Sequence, residues 1–68
     1  MFHQVESSFI KAIAYSRKHR VLKIEFTSGS VYQYFGVSRH RHDRLMTAES
    51  TGRYFNAHIR SKYEYELM

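Results

Sequence analysis

The sequence predicts an α+β fold: a three-stranded antiparallel meander with two short C-terminal helices packed on one face. Two adjacent runs, residues 22–26 and 30–37, are rich in apolar, β-branched and aromatic residues, and a glycine turn separates them, as in a β-hairpin. After Val37 the pattern changes, and serines stand where two helices would begin. Because 68 residues are too few for two cores, residues 1–68 are expected to form a single domain.

Residues 9–15 are predicted to form the first strand of the meander. This compact apolar stretch also fits a short helix, but neighbours in sequence usually pair, and the next two elements are strands. Residues 16–20 then form a basic turn into the hairpin. Residues 1–8 show no clear period and are either a frayed terminus or a short edge strand.

The predicted hairpin has two possible registers. A two-residue loop of Ser28 and Gly29 places Tyr32 and Tyr34 on the polar side, opposite charged residues. A three-residue loop that starts at Thr27, with Gly29 in the left-handed conformation, places both tyrosines on the core side. Serine is a poor residue before the glycine of a two-residue type I′ loop, so the three-residue loop is preferred.

Two short helices are predicted after the hairpin. Ser38 can cap the first, over residues 39–48, because its hydroxyl accepts a hydrogen bond from a free amide of the first turn. Ser50 or Thr51 can cap the second in the same way. One side of the second helix carries Gly52, Phe55 and Ile59.

The tail, residues 62–68, alternates tyrosine with glutamate in the manner of a strand. It contains no glycine or proline that would interrupt a strand. Chain ends often fray, so two possibilities stay open: the tail docks on the sheet edge, or it remains mobile.

Composition limits the classes of protein that the chain can belong to. There is no cysteine, so a disulfide and a thiolate metal site are both excluded, which fits a reducing compartment. The sequence contains no apolar run long enough to cross a membrane, and residues 1–15 lack the features of a signal peptide. We therefore expect a soluble cytoplasmic protein that has no membrane partner.

The chain is basic, with 11 Lys and Arg against 6 Asp and Glu, which gives a formal net charge of +5. Guanidinium groups match phosphate oxygens, so RNA or another polyanion is an expected partner. A solvated helix face would account for the same cations, and that reading stays open. The candidate binding residues are the helical cations and the hairpin tyrosines: Arg39, Arg41, Arg44, Arg53, Arg60, Lys62, Tyr32 and Tyr34.

Histidine and acidic residues near the first helix give no convincing catalytic or metal site. His40 and His42 are two residues apart and point to different sides of a helix, and no further ligand completes a set. Asp43 follows His42 directly, and adjacent helical residues are not expected to face each other. No activated nucleophile and no glycine-rich phosphate loop is evident. The sequence therefore predicts a protein that is not an enzyme and uses no metal or cofactor.

Two stretches together resemble the KTSC domain family. The first is Tyr32-x-Tyr34 after a glycine turn, and the second runs from Ala48 through Ser50-x-Gly52 to Tyr54-Phe55-Asn56. The combination is much more specific than the tyrosine pair alone, and the resemblance spans about residues 7–63. Other matching positions are Ile10, Ile13, Tyr15, Val37, Ile59 and Arg60.

The sequence departs from the family's pattern at two places. Ser38 stands where members often have proline, and both residues suit a helix start. Residues 39–42 are more basic than in many members. The family occurs at the C-terminus of some lysyl-tRNA synthetases and as stand-alone proteins of bacteria and phages. Attachment to a synthetase implies RNA binding by association.

Two functions from different classes follow. The first is a small basic module that binds RNA or single-stranded nucleic acid, with arginine and lysine on phosphates and exposed tyrosines stacked on bases. The alternative is a protein-interaction module, such as a phage or mobile-element protein that docks on a host protein complex and inhibits or adapts it. The net charge supports the first, and the small size supports the second.

Overall fold

In the computed structural model, which describes residues 2–68, a five-stranded antiparallel sheet carries two helices on one face. The strands follow one another across the sheet in chain order. They are β1 (His3–Gln4), β2 (Ile10–Ser16), β3 (Val21–Phe26), β4 (Val31–Phe35) and β5 (Tyr65–Leu67). The helices, α1 (Arg39–Thr47) and α2 (Thr51–His58), lie between β4 and β5 in the chain. Neither helix in this part of the chain has the length and apolar character needed to cross a membrane.

The α+β class is confirmed, but the prediction of three strands was wrong, because both chain ends add a strand. Near the N-terminus, β1 pairs with β2, and His3 lies opposite Ile13. Near the C-terminus, β5 pairs with β4, and Tyr65 lies opposite Tyr34. Both added strands are short, two and three residues, and their residues are exposed. A strand this short and this exposed shows little of the apolar alternation from which longer strands are recognised.

The hairpin between β3 and β4 has the three-residue loop that the sequence favoured. Gly29 adopts φ 97°, which is the left-handed conformation that the turn requires. In the resulting register Ile24 lies opposite Tyr32, and Leu22 lies opposite Tyr34. Both tyrosines therefore face the helices, as expected. Tyr34 is only 4% exposed and belongs to the core.

Both helices begin at the predicted serines. The Ser38 hydroxyl accepts a hydrogen bond from the Arg41 amide at 3.1 Å. The Ser50 hydroxyl accepts one from the Arg53 amide at 3.3 Å, so Ser50 caps α2 and Thr51 is its first residue. Each cap satisfies a backbone donor that would otherwise lack a partner.

Tyr15 connects the sheet to the start of α1. Its hydroxyl donates a 2.6 Å hydrogen bond to the carbonyl of Val37, which lies just before the helix. Its ring stacks on the imidazole of His42 at a centroid distance of 4.5 Å. These two contacts hold the start of α1 against Tyr15 of β2.

The core lies between the sheet and the helices and is entirely apolar apart from the hydroxyl of one tyrosine. Phe55 of α2 is buried near its centre, and its ring contacts those of Phe9, Phe26 and Tyr34. The core cluster comprises Ile10, Ile13, Leu22, Ile24, Tyr34, Val37, Leu45, Phe55 and Ile59. Burying these side chains supplies most of the stability that a domain of this size can obtain.

Gly52 lets the first turn of α2 approach the segment before β2 closely. A Cβ atom built on Gly52 would lie 2.8 Å from Cε1 of Phe9 and 3.1 Å from the hydroxyl of Ser7. Real Cβ contacts are almost never so short, so no side chain fits here unless the Phe9 ring moves. Gly52 therefore permits close packing at the start of α2.

The close approach at Gly52 predicts that Gly52→Ala destabilises the protein. Glycine to alanine inside a helix normally stabilises by about 0.5–1 kcal/mol, whereas overpacking a core costs about 1–3 kcal/mol. We expect the second effect to be larger, and urea denaturation measures the difference. Replacing Phe9 by leucine in the Gly52→Ala background should recover part of the loss. A Gly52→Ala variant more stable than the parent would show that the contact is not tight.

Candidate functional site

An open groove of about 710 Å³ lies on the helix-bearing face of the sheet, between the end of α2, the hairpin loop and strands β4 and β5. The helices do not cover this corner of the sheet. We call it the aromatic groove, and the residues that define it are Phe26, Tyr32, Tyr34, Asn56, Arg60 and Tyr65.

Strand pairing produces the aromatic wall of the groove. Alternate residues of a strand point to the same face, so Tyr32 and Tyr34 of β4 stand side by side. Strand β5 adds Tyr65, whose ring centroid lies 5.6 Å from that of Tyr32 and 5.7 Å from that of Tyr34. Tyr34 is buried at the base, Tyr32 is half-buried, and Tyr65 is 59% exposed. The wall therefore runs from the core out to solvent.

Polar groups from the end of α2 form the opposite rim. Arg60 donates a hydrogen bond from Nη1 to Oδ1 of Asn56 at 3.3 Å, and both side chains are exposed. The helix ends at His58 with Ile59 as its C-cap, and the Arg60 amide still donates a hydrogen bond to the Phe55 carbonyl at 2.9 Å, which keeps Arg60 beside the groove. A guanidinium and an amide therefore face a wall of aromatic rings.

The groove perturbs one titratable group in its floor. Burial raises the pKa of Tyr34 above its ordinary value of 10.0, because an ionised phenolate would lose hydration there. The positive charge of Arg60 opposes this rise, and Tyr32 and Tyr65 add to it. Arg60 thus acts electrostatically on the floor of the groove as well as on Asn56.

The predicted basic residues separate into groups rather than forming one uninterrupted face. Arg39 lies 3.7 Å from the Asp43 carboxylate, and both side chains are exposed. Arg41 turns toward α2, where its guanidinium donates a 2.9 Å hydrogen bond to the Tyr54 hydroxyl and lies 5.9 Å from the centre of that ring. Hydrogen bonding to Tyr54, and to Tyr63, raises the pKa of Arg41. Arg41 therefore links the two helices.

Three predicted cations stay fully on the surface. Arg44, Arg53 and Lys62 are exposed, and within residues 2–68 none of them forms an ion pair. Arg60 belongs to the aromatic groove together with Tyr32 and Tyr34. The predicted site residues are thus distributed over the groove, the contact between the helices and the open surface.

A second, smaller cleft of about 300 Å³ lies beside the first turn of α1 and includes His42 and Asp43. The expectation that these adjacent side chains cannot face each other was wrong. His42 Nδ1 lies 3.3 Å from Asp43 Oδ1, because the exposed carboxylate bends back toward the imidazole that Tyr15 holds in place. No group of three or more potential metal ligands occurs within residues 2–68.

Sequence reasoning missed three members of the groove. Tyr65 lies in the tail, where the alternation of tyrosine and glutamate was the available signal. Phe26 was recognised only as a strand residue. Asn56 was named only as part of the stretch that resembles the family, and its place beside the groove emerges only when α2 is packed on the sheet.

Comparison with known proteins identifies relatives along nearly the whole chain. The family model of the KTSC domain matches residues 6–63. A lysine–tRNA ligase of Nostoc punctiforme is 44% identical over 63 residues, which are 93% of this chain and 11% of the ligase. The chain therefore spans about a tenth of the length of that relative. A protein of Tsukamurella paurometabola is 39% identical over 59 residues, which are 87% of this chain and 88% of that one.

The fold has a similar counterpart among solved structures. The crystal structure of a KTSC domain protein from Yersinia pestis superposes with a TM-score of 0.97 at 35% sequence identity. The match covers 100% of this chain and 96% of that chain. The fold of the whole described chain is thus shared with a KTSC domain protein.

The contact between Arg41 and Tyr54 predicts that two arginines of the same helix differ in their effect on stability. Arg41→Met should lower the thermal midpoint, because it removes the hydrogen bond that links α1 to α2. Arg44→Met should leave the midpoint nearly unchanged, because Arg44 is exposed and makes no ion pair with residues 2–68. Thermal unfolding followed by circular dichroism compares the two variants. Equal midpoints would show that Arg41 has no structural role.

The electrostatic contact between Arg60 and Tyr34 predicts a change in the titration of that tyrosine. Arg60→Gln removes a charge that lowers the pKa of Tyr34, so the pKa should rise further above 10.0. Arg53→Gln, a change on α2 outside the groove, should leave the pKa of Tyr34 unchanged. The ¹³Cζ chemical shift of Tyr34 followed against pH measures both variants.

The raised pKa of Tyr34 also determines how the stability of the protein depends on pH. Tyr34 has a higher pKa in the folded state than in the unfolded state, so its contribution to the free energy of unfolding is complete below about pH 10. That contribution is lost as pH rises through the pKa of Tyr34 in the folded state. Arg60→Gln should raise this pKa, so the contribution should persist to higher pH. A pKa of Tyr34 that does not change in Arg60→Gln would place the guanidinium away from the groove.

Proposed function

The chain belongs to the KTSC domain family, and we propose that it is a small module that binds single-stranded nucleic acid, above all RNA. The observation that carries the proposal is the aromatic groove, where tyrosine rings face a guanidinium and an amide across an open space. Stacking on aromatic rings and pairing of phosphate with guanidinium are the main interactions by which proteins hold single strands.

The tyrosines would provide the stacking surface. Tyr65 is 59% exposed and stands next to half-buried Tyr32, so a nucleobase entering the groove meets ring faces that do not have to be uncovered first. Tyr34 lies at the base of the groove and is buried, so it would support the other two rings and offer little surface to a ligand. The groove volume of about 710 Å³ lies within the range of small-molecule sites, about 300–1,000 Å³.

The charges of the chain would attract and orient the strand. Arg60 lies on the rim of the groove, where its guanidinium can contact a phosphate that flanks a stacked base. Arg44, Arg53 and Lys62 are exposed and contribute to the net charge of +5, which raises the local concentration of any polyanion. The proposal assigns no such role to Arg41, because its guanidinium is engaged by Tyr54.

The relatives lend the proposal some support. Lysine–tRNA ligases, as their name states, act on an RNA, and the segment that resembles this chain is 11% of the ligase. A module that contacts RNA would be useful in such a protein. The ligase activity is not proposed for this chain, which matches only 11% of that enzyme.

A protein-interaction module is the second candidate, and the outer edge of β5 is the observation that favours it. Leu67 and Met68 are 58% and 60% exposed, and the sheet ends at β5, so an extended segment of a partner could add a strand there. This role would use the open edge of the sheet. Nucleic-acid binding would use the groove.

Binding of a fluorescein-labelled single-stranded RNA, followed by anisotropy, tests the proposal. Tyr65→Ala should weaken binding by about 5- to 150-fold, because stacking on an aromatic ring contributes about 1–3 kcal/mol per base. Arg60→Gln should weaken binding and lower the slope of log affinity against log salt by about 0.7, the value for one phosphate on a single strand.

Two matched variants control for the loss of a ring and of a charge. Phe35→Ala removes an exposed aromatic residue from the opposite face of the same sheet, and Arg17→Gln removes a cation from the turn after β2. Both should bind nearly as the parent does, with only the small uniform loss that a lower net charge causes. Absence of measurable binding at low salt would contradict the proposal and leave the open edge of β5 as the remaining candidate surface.

A further inference from the structure

We infer that the aromatic groove selects guanine among the bases, through a rim whose side chains offer hydrogen-bond donors. This inference rests on the proposed function, since it names the base that the same groove would hold. It follows from the orientation of one amide, the absence of carboxylates among the lining residues of the groove, and the pattern of acceptors on the four bases.

The hydrogen bond between Arg60 and Asn56 fixes which way the amide points. A guanidinium carries only donors, so the amide atom 3.3 Å from Arg60 Nη1 must be the oxygen. If the amide were turned over, its NH₂ group would face the N–H of Arg60, donor against donor. The NH₂ group of Asn56 is therefore on the side away from Arg60, with two N–H donors available.

The other described side chains of the rim add donors and no charged acceptor. Arg60 has five N–H donors and uses one of them on Asn56. The other polar side chains that line the groove within residues 2–68 are hydroxyls, which donate or accept equally well and so do not discriminate. No carboxylate and no imidazole is among these lining residues. A base thus gains most by presenting acceptors to this rim.

Guanine matches that requirement better than the other bases, and uracil presents only one acceptor, O4, on the corresponding edge. Its O6 and N7 are two adjacent acceptors on one edge, and they fit an arginine fork or a pair of neighbouring donors. Adenine presents the N6 amino donor beside N7, and cytosine presents the N4 amino donor, so each would set a donor against the donors of Asn56 and Arg60. The larger purine ring also covers more of Tyr32 and Tyr65 than a pyrimidine does.

Oligouridines of about eight nucleotides with one substituted central base test the inference by anisotropy. Guanine at the centre should bind about 5- to 150-fold more tightly than adenine, because a good bidentate pair is worth about 1–3 kcal/mol of discrimination. Hypoxanthine retains O6 and N7 and should bind as guanine does. 7-Deazaguanine lacks the N7 acceptor and should lose most of the advantage.

Variants at the rim should change the preference without abolishing binding. Asn56→Asp has nearly the same shape and replaces two donors by an acceptor, so the preference for guanine over adenine should vanish or reverse. Arg60→Lys retains the charge and loses the planar fork, so the preference should shrink while the dependence on salt stays close to that of the parent. Both residues are exposed, so the variants should fold, and circular dichroism checks this.

The outcomes separate this inference from the proposed function. Equal affinity for the guanine and adenine probes would overturn the inference and leave single-strand binding standing. An unchanged preference in Asn56→Asp would also overturn it, since the amide would then not contact the base. If no probe binds at low salt, both the inference and the proposed function are overturned.

Discussion

The contact of the Phe55 ring with the sheet is the interaction on which the rest of the structure depends. Phe55 meets Phe26 at 5.8 Å and Tyr34 at 5.5 Å, both edge to face, and it lies one turn from Gly52, where the backbone of α2 comes closest to the Phe9 ring. Together these contacts fix the rotation of α2. Once that rotation is fixed, Asn56 and Arg60 lie over the corner of the sheet that the helices leave uncovered, and the groove forms there.

The central part of this fold could be read from the sequence because local chemistry decides it. Gly29 after a serine selects the longer hairpin loop, and that loop alone sets the face on which the tyrosines of β4 lie. Ser38 and Ser50 mark the helix starts because their hydroxyls bond within their own turn. The edge strands could not be derived in this way. They are too short to show a period, and pairing with distant residues determines their position.

The candidate site was only partly predictable for a similar reason. Tyr32 and Tyr34 were recognised from the pattern of one strand, and Arg60 from its charge, but nothing local links the tyrosines to Arg60 or to Tyr65. The role of Arg41 could not be read from its basic neighbours, because its partner Tyr54 lies on the other helix. A cation in a basic run can bind a ligand or hold two elements together, and only the tertiary arrangement separates these roles.

Strand β5 carries Tyr65, one wall of the groove, and the free energy needed to open this strand locally is small. It is three residues long and exposed. A backbone hydrogen bond lies at each end of it: the Phe35 amide donates to the Glu64 carbonyl at 2.9 Å, and the Met68 amide donates to the Val31 carbonyl at 2.8 Å. Local opening of such a segment requires far less free energy than global unfolding. By thermodynamic linkage, a ligand that needs Tyr65 in place also holds β5 closed. Amide hydrogen exchange at the two ends of β5 thus becomes a reporter of whether the groove is occupied.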